Sequence, residues 1–350
     1  MRLCKLTDIV GYEKLARSVM TQDYRELLSA GTVLKPEYVA KLEQMGITEV
    51  LIDDTKLRPE EVQILKEDVE DLFKEKVRSV IERHVYNNSA ELEELSKTAD
   101  SIITSILSDE KIVEQIFDIK ERSADIYEHS ISVCSMAVLV AAKMKLSMEE
   151  MHNLGVACIF HDIGLRYLNF AYNNQMLEEL SEHELTEYRK HPAYAFTALE
   201  KETWISKESK LMILQHHERI DGSGYPLHAR NIGICSQILE VVDAFDEMIC
   251  GIGCMRSRVY EAVEYLKVFK GIKFSEETVD VLLDFTAVYP AGSLVLLNTG
   301  ETAVVVRQNK QFPERPVLRL VKDKDGKSID DEELYDLLDE RTAYIEKVIM

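Results

Sequence analysis

The stretch from Gln215 to Pro226 reads Gln-His-His-Glu-Arg-Ile-Asp-Gly-Ser-Gly-Tyr-Pro, and it joins two adjacent histidines to a glycine-rich turn. His216 and His217 end an apolar run with helical spacing. Imidazoles at the end of a rigid helix are good ligands for divalent metals, and glycines let the backbone bend close to a bound group. A lone His-His pair is more often incidental, so it indicates a metal site only together with further ligands.

The composition is that of a folded protein of two or three domains. The chain has 350 residues, of which 46% are hydrophobic. Its net charge of −21 argues against general binding to nucleic acid polymers or to anionic membrane surfaces. A small phosphorylated substrate stays compatible with this charge, because bound metal ions can reverse the local potential.

Three features of the sequence predict a cytoplasmic protein with no membrane span. No apolar run reaches the length of a membrane-spanning helix, and the first residues lack the pattern of a signal peptide. Cys134, Cys158 and Cys235 lie among small or apolar residues in helical patterns. Such positions are typical of free buried thiols in a reducing compartment.

Changes of pattern along the chain predict four segments and a mainly α fold. Residues 1–54 predict a small mixed α/β module. Residues 55–110 predict a helical connector whose amphipathic faces pack on the next domain or on a second copy of the chain, as a homodimer. Residues 111–285 are almost entirely helical in pattern, whereas residues 286–350 predict a β-rich appendage. Within that appendage, the tail from Asp331 to Ile349 favours one short helix.

Seven histidine and aspartate side chains at the ends or apolar flanks of consecutive helices form a candidate ligand set. Each one alone is more simply explained as an ordinary core or surface residue, but the doublets make that explanation poor for the whole set. Two divalent metals need about six or more protein ligands, and mixed imidazole and carboxylate ligands suit Fe or Mn at least as well as Zn. The set is His129, His161, Asp162, His191, His216, His217 and Asp243.

Asp243 illustrates the energetic argument for a metal. It lies in an apolar run between Val242 and Ala244, where an unpaired carboxylate is costly to bury. A bound metal would remove that cost, and a buried salt bridge is the alternative explanation.

Two motifs within residues 120–270 resemble those of the HD-GYP family of bacterial cyclic di-GMP phosphodiesterases, a branch of the HD phosphohydrolase superfamily. They are His161-Asp162-Ile163-Gly164 and the long motif quoted above. The resemblance implies an HD-type all-α domain in which the seven residues bind two metals and Asp162 bridges them. Some members hold a third metal through a glutamate four residues before the first histidine. Asp125 stands at that position here, on the same helix face as His129.

The resemblance also implies a reaction, a substrate and cofactors. In the family a hydroxide that bridges two metals attacks the phosphorus of cyclic di-GMP, or of a related cyclic dinucleotide, and the metals stabilise the charge on the phosphoryl oxygens. The loop of Gly224, Tyr225 and Pro226 borders the substrate site, and Asp162 is the implied catalytic centre. Two divalent ions, or three with Asp125, are expected; Fe or Mn is favoured, with Zn, Mg, Ni and Co left open.

The chain departs from the family at positions that face phosphate. Leu165 replaces the lysine that usually follows His-Asp-Ile-Gly, and Gln237 stands where an arginine is common. Each lost charge-assisted hydrogen bond costs roughly 1.5–3 kcal/mol. Arg166 is the candidate substitute. If the pocket is otherwise intact, we therefore expect Leu165→Lys to raise phosphodiesterase activity or to tighten cyclic di-GMP binding about tenfold.

Three functions fit these residues. The first is an active metal-dependent cyclic di-GMP phosphodiesterase that is slow or has a shifted cyclic-dinucleotide preference. The second is a metal-containing signalling or scaffold module, and the third is a phosphohydrolase for another nucleotide. The first is favoured, because a complete ligand set is costly to keep buried without metal.

Overall fold

The computed structural model divides into two compact units. Residues 1–62, 116–118 and 287–350 form the first unit, and residues 63–115 and 119–286 form the second. The structure describes residues 2–9, 13–20, 26–53, 62–87, 91–108, 112–119, 121–122, 124–310, 312–329 and 333–349. The four predicted segments stay a prediction, and residues 54–61, where the predicted connector starts, lie outside the described part of the chain.

The N-terminal part of the first unit is a small α/β module. Strand β1 (Arg2–Lys5) pairs antiparallel with β4 (Glu49–Ile52), and the two-residue β2 (Val19–Met20) pairs with β3 (Glu26–Leu28). Helix α1 (Pro36–Gln44) begins at a proline, whose fixed φ suits the first helical turn. Buried apolar side chains of these elements and of the segments between them form one core.

The second unit is helical and holds the candidate site. Its helices begin at polar caps where the sequence supplies them, as at Asp125 and at Ser147, whose side chains accept hydrogen bonds from backbone N–H groups. In chain order they are α2 (Glu67–Asn87), α3 (Glu94–Leu107), α4 (Ile126–Lys143), α5 (Met148–Phe160), α6 (Glu182–Tyr188), α7 (His191–Leu199), α8 (Lys207–Gln215), α9 (Ile234–Cys250), α10 (Val259–Phe269) and α11 (Glu276–Asp284).

Helix α4 forms the centre of this unit. It packs against α2, α3, α5, α9 and α11. Every residue from His129 to Ala141 is buried, so the helix carries apolar and small residues on all of its faces. A polar side chain on α4 is therefore enclosed by protein and needs a partner there.

Gly164 allows the turn after α5 to approach α7. A short 3-10 helix, Ile163–Tyr167, follows Asp162 and contacts α7. A Cβ atom on Gly164 would lie 2.0 Å from the carbonyl oxygen of His191, which no real side chain tolerates. The absence of a side chain therefore brings two predicted ligand segments together.

The C-terminal part of the first unit is an antiparallel sheet of order β8-β7-β6-β5-β9. Its strands are β5 (Leu294–Leu297), β6 (Thr302–Arg307), β7 (Val317–Lys322), β8 (Leu334–Asp336) and β9 (Ile345–Val348). The prediction of a short helix in the tail was wrong, because the described residues there form β8 and β9. Strand β9 pairs with the distant β5, and this pairing leaves no local sequence signal.

The two ends of the chain share one core in the first unit. Leu51 of β4 packs with Leu294, Val304 and Val321 of the C-terminal sheet. The two oxygens of Glu49 lie 2.6 and 2.7 Å from Nζ of Lys322. The structure confirms the predicted mainly α class with a small N-terminal α/β module and a β-rich C-terminal part. No helix among the described residues has the length and apolar character of a membrane span.

Asp118 ties three segments of the first unit together. Its carboxylate accepts hydrogen bonds from the backbone N–H of Val62 at 2.9 Å and of Ala291 at 2.7 Å. It also accepts one from Nε2 of Gln308 at 3.0 Å. Only 4% of Asp118 is exposed. Removing its carboxylate would therefore leave these donors without this hydrogen-bond acceptor in the protein interior.

We expect Asp118→Ala to destabilise the first unit by about 3 kcal/mol or more, since hydrogen bonds to a charged group contribute roughly 1.5–3 kcal/mol each. Hydrogen–deuterium exchange of the segment 287–310 should then be much faster than in the wild type. Asp325→Ala, in the exposed turn between β7 and β8, is the control and should leave the exchange unchanged. Equal protection in Asp118→Ala and in the wild type would contradict this role.

Candidate metal centre

The structure brings all seven predicted ligands together at helix ends of the second unit. His129 lies on α4 and Asp243 on α9, whereas the other five lie where α5, α7 and α8 begin or end. Each is at most 3% exposed. The seven are His129, His161, Asp162, His191, His216, His217 and Asp243.

His129, His161 and Asp243 form the first group. Nε2 of His129 lies 3.2 Å from Nε2 of His161 and 3.0 Å from Oδ1 of Asp243. Nε2 of His161 lies 3.2 Å from the same carboxylate oxygen. Two imidazole nitrogens and one oxygen therefore face a common point, as the ligands of one ion do.

His191, His216 and His217 form the second group. Nε2 of His191 lies 3.0 Å from Nε2 of His216 and 3.1 Å from Nε2 of His217. The three rings are packed at centroid distances of 4.3 to 5.1 Å. Three nitrogens that face one another at such distances make a second candidate ion site.

Asp162 lies between the two groups. Its Oδ1 is 3.4 Å from Nε2 of His191 and 3.6 Å from Nε2 of His216. Its Oδ2 is 3.6 Å from Nε2 of His129 and 3.5 Å from Nε2 of His161. Oδ2 has no hydrogen-bond partner among the described residues although it is buried. One carboxylate thus offers one oxygen to each group.

Backbone carbonyls fix the tautomers of three of these histidines. Nδ1 of His161, His191 and His216 lies 2.8, 2.7 and 2.7 Å from the carbonyl oxygen of the residue three positions earlier. A carbonyl only accepts, so each Nδ1 carries a proton, and in the neutral ring, which is the form that binds a metal, Nε2 presents the lone pair. Lone pairs that face one another repel, and a bound cation removes the repulsion; the donor set therefore fits divalent cations.

His129 is oriented by a residue that the sequence interpretation missed. Its Nδ1 lies 2.7 Å from Oδ2 of Asp246. The other oxygen of Asp246 accepts hydrogen bonds from Arg122 and, at 2.8 Å, from Oγ of Ser132. Burial raises the pKa of Asp246, but Arg122 and His129 hold it below the usual value. Its signal was a second aspartate in the apolar run of Asp243.

The directions of the pKa shifts in the site follow from burial and from the neighbouring charged groups. Burial lowers the pKa of His129, yet hydrogen bonds to Asp243 and Asp246 hold it well above the usual value. Burial and the neighbouring histidines lower the pKa of His217 well below the usual value. Burial raises the pKa of Asp162, but the surrounding histidines hold it well below its usual range. Asp162 is therefore an ionised carboxylate, as a ligand must be.

Glu218 holds the loop that follows the His-His pair. It is fully buried, and its two carboxylate oxygens accept hydrogen bonds from the N–H groups of Leu227 at 2.6 Å and Ala229 at 2.7 Å. The Tyr225 ring stacks on His217 at 4.7 Å and 27°. A Cβ on Gly224 would lie 2.4 Å from the carbonyl oxygen of His217. The predicted Gly224-Tyr225-Pro226 loop thus lies against the second group.

Two predicted residues take other partners. Asp125 caps α4, accepting hydrogen bonds from the N–H groups of Tyr127 and Glu128, and it forms an ion pair with Arg78. Arg166 lies 2.9 Å from the carboxylate of Glu82 on α2. The third-metal role of Asp125 and the substrate role of Arg166 stay predictions, and this geometry gives them no support.

Comparisons with known proteins place the site in a recognised domain. A family model described as an HD domain matches residues 111–274, and one described as a KOW domain associated with HD domain matches residues 294–350. A solved structure of an HDG"Y"P protein from Bdellovibrio bacteriovorus has a TM-score of 0.53 and 18% identity, over 81% of this chain and 98% of that one. At this identity the likeness shows the fold.

Curated relatives also match part of the chain. A cyclic di-GMP phosphodiesterase of Pseudomonas aeruginosa is 26% identical over 220 residues, 61% of this chain and 52% of the relative. A cyclic di-GMP phosphodiesterase response regulator of Xanthomonas campestris is 31% identical over 42% of this chain and 40% of the relative. A 3'3'-cGAMP-specific phosphodiesterase of Vibrio cholerae is 27% identical over 45% of this chain and 32% of the relative. The chain spans about half the length of the first two curated relatives it matches.

We expect the wild type to bind at least two transition-metal ions per chain after anaerobic loading with Fe²⁺ or Mn²⁺. Asp162→Ala should lose most of this metal, because each ion loses an oxygen ligand. Elemental analysis of desalted protein measures the count, and Asp284→Ala, an exposed aspartate of the same unit, is the control. Less than one ion per chain in the wild type would contradict the assignment.

Proposed function

We propose that this chain, which belongs to the HD-GYP family of HD-domain proteins, is a metal-dependent phosphodiesterase. Its proposed substrate is cyclic di-GMP or a related cyclic dinucleotide. The observation that carries the proposal is Asp162, which offers one oxygen to each of two histidine groups. The names of the relatives support the substrate class.

The proposal assigns four ligands to each of two divalent ions, Asp162 being common to both. His129, His161 and Asp243 would hold the first ion, and His191, His216 and His217 the second. Fe²⁺ or Mn²⁺ suits this mixture of imidazole and carboxylate. When bound, such ions would lower the pKa of water and neutralise charge on the phosphoryl oxygens.

The side chains around the ligands would keep this arrangement rigid. The backbone carbonyls hold three histidines in one tautomer, and Asp246 holds His129, so the ligands need little reorganisation. Glu218 fixes the loop that presents Tyr225. An aromatic ring at the border of the site suits a purine base, which can stack on it. We therefore retain Gly224, Tyr225 and Pro226 as substrate-side residues.

The apolar surroundings of Leu165 support the proposal that the enzyme is slow. It is only 2% exposed and packs in an apolar cluster with Tyr188, Cys250 and Ile252. Apolar side chains thus surround the position at which a lysine is usual in the family, and they give no charge-assisted contact to phosphate. The same cluster favours the second candidate, a metal-containing signalling or scaffold module. The homodimer through the N-terminal helices and the cytoplasmic location stay predictions.

We expect Mn- or Fe-loaded wild type to hydrolyse cyclic di-GMP slowly but measurably. Asp162→Ala should lower the rate at least 100-fold, on the order of the loss of a metal-stabilised transition state. Separation of the products by ion-exchange chromatography measures the rate, with 3'3'-cGAMP and linear nucleotides as competing substrates. If the metal-loaded protein cleaves no cyclic dinucleotide, the phosphodiesterase proposal is wrong and the scaffold candidate remains. If it cleaves another nucleotide instead, that nucleotide replaces cyclic di-GMP as the proposed substrate.

The burial of Leu165 reverses the expectation for Leu165→Lys. A lysine there would place its ammonium in the apolar cluster, at a cost of several kcal/mol. We expect a lower melting temperature and no gain in hydrolysis, measured by thermal unfolding and by the assay above. Leu211→Lys, at a position 46% exposed on α8, is the matched control and should be neutral. Faster hydrolysis at an unchanged melting temperature would instead show that the ammonium reaches the substrate.

A further inference from the structure

Glu247 is an acidic residue beside the metal centre to which no role has yet been given. It lies on α9 one helical turn after Asp243. Residues four apart on a helix share a face, so both carboxylates point to the same side of α9. The side chain of Glu247 is 14% exposed, whereas that of Asp243 is 1% exposed. Glu247 therefore approaches the centre from its more open side.

Glu247 lies against one member of each ligand group. Its Oε1 is 3.8 Å from Nε2 of His217, which belongs to the second group. Ligand atoms of Glu247, His217 and Asp243 lie within 4.8 Å of one another, and Asp243 belongs to the first group. Ligand bonds of about 2.0–2.2 Å place neighbouring ligand atoms roughly 3–3.5 Å apart, so Glu247 needs only a small side-chain movement to join them.

The contacts of Asp243 leave one of its carboxylate oxygens unsatisfied, as is expected where a cation binds. Its Oδ1 faces His129 and His161, but its Oδ2 is buried and has no hydrogen-bond partner among the described residues. Oδ2 lies 3.9 Å from Nδ1 of His217. A second carboxylate beside an unpartnered buried oxygen is repulsive unless positive charge lies between them.

We propose that Glu247 is an additional metal ligand, a second carboxylate that reaches the centre beside Asp162. The proposal rests on the two-ion centre of the proposed function and adds an eighth ligand to it. With Glu247 bound, fewer positions on the ions stay open to water or substrate, which accounts for a slow enzyme independently of Leu165. Asp125 makes no such approach, since its carboxylate accepts hydrogen bonds from N–H groups at the start of α4 and forms an ion pair with Arg78.

The test is metal affinity, measured by competition of Mn²⁺ or Fe²⁺ between the protein and a chelator. Glu247→Gln should raise the dissociation constant of the weaker ion by about tenfold to a hundredfold, the range that ligand-supporting residues reach. Glu247→Leu, which removes the amide oxygen as well, should raise it at least as far. Circular dichroism of the metal-free variants checks that both fold, and anomalous scattering from Mn-loaded wild-type crystals should show an ion within ligand distance of Glu247.

Two matched variants separate this role from a general loss of acidic charge. Glu240→Gln removes another buried carboxylate of α9, and Asp284→Asn removes an exposed carboxylate of the same unit. Both should leave the dissociation constants unchanged. Unchanged affinity in Glu247→Gln and Glu247→Leu, with two ions still bound by an active wild type, overturns the ligand role alone. A wild type that binds no metal overturns the proposed function with it.

Discussion

The second unit depends on a cluster of imidazole nitrogens that face one another in a dry interior. Three of the histidines donate their Nδ1 protons to carbonyls of the preceding helical turn, which turns their Nε2 lone pairs toward the neighbouring ligands. Helix ends make this arrangement available, because the last carbonyls of a helix lack intrahelical donors. A histidine at such an end satisfies a carbonyl and presents a ligand at the same time. Backbone carbonyl groups that lack an intrahelical donor at the helix ends thus orient these histidine side chains.

Much of this centre could be predicted from the sequence. The seven candidate ligands were predicted as one set because His-Asp and His-His doublets stand at helix ends and because two motifs carry a family pattern. The mainly α class followed from the 3.6-residue apolar period. Asp246 and Glu247 were missed because they share the apolar run of Asp243. Sequence spacing does not tell which side chains of a helix reach the candidate ligands.

Other residues show where local patterns fail. Asp125 has the spacing of a ligand, yet the N–H groups at the start of α4 are nearer partners for its carboxylate. Leu165 was recognised as a replaced lysine, but its burial among Tyr188 and Ile252 depends on segments that are far apart in sequence. The tail of the chain forms β9 because β5 offers it an edge. For Leu165 and for the tail a tertiary partner decides the outcome, and a single-sequence pattern does not contain that partner.

The shared core of the first unit has a consequence for the order in which the chain becomes structured. Leu51 packs with Leu294 and Val321, and the whole helical unit lies between them in the sequence. During synthesis the helical unit emerges complete while the N-terminal module still lacks its partner strands. Closing the first unit then requires a loop as long as the second unit, and a compact second unit shortens that loop and lowers its entropic cost. The helical unit would thus serve as the folded spacer that lets the two ends of the chain meet.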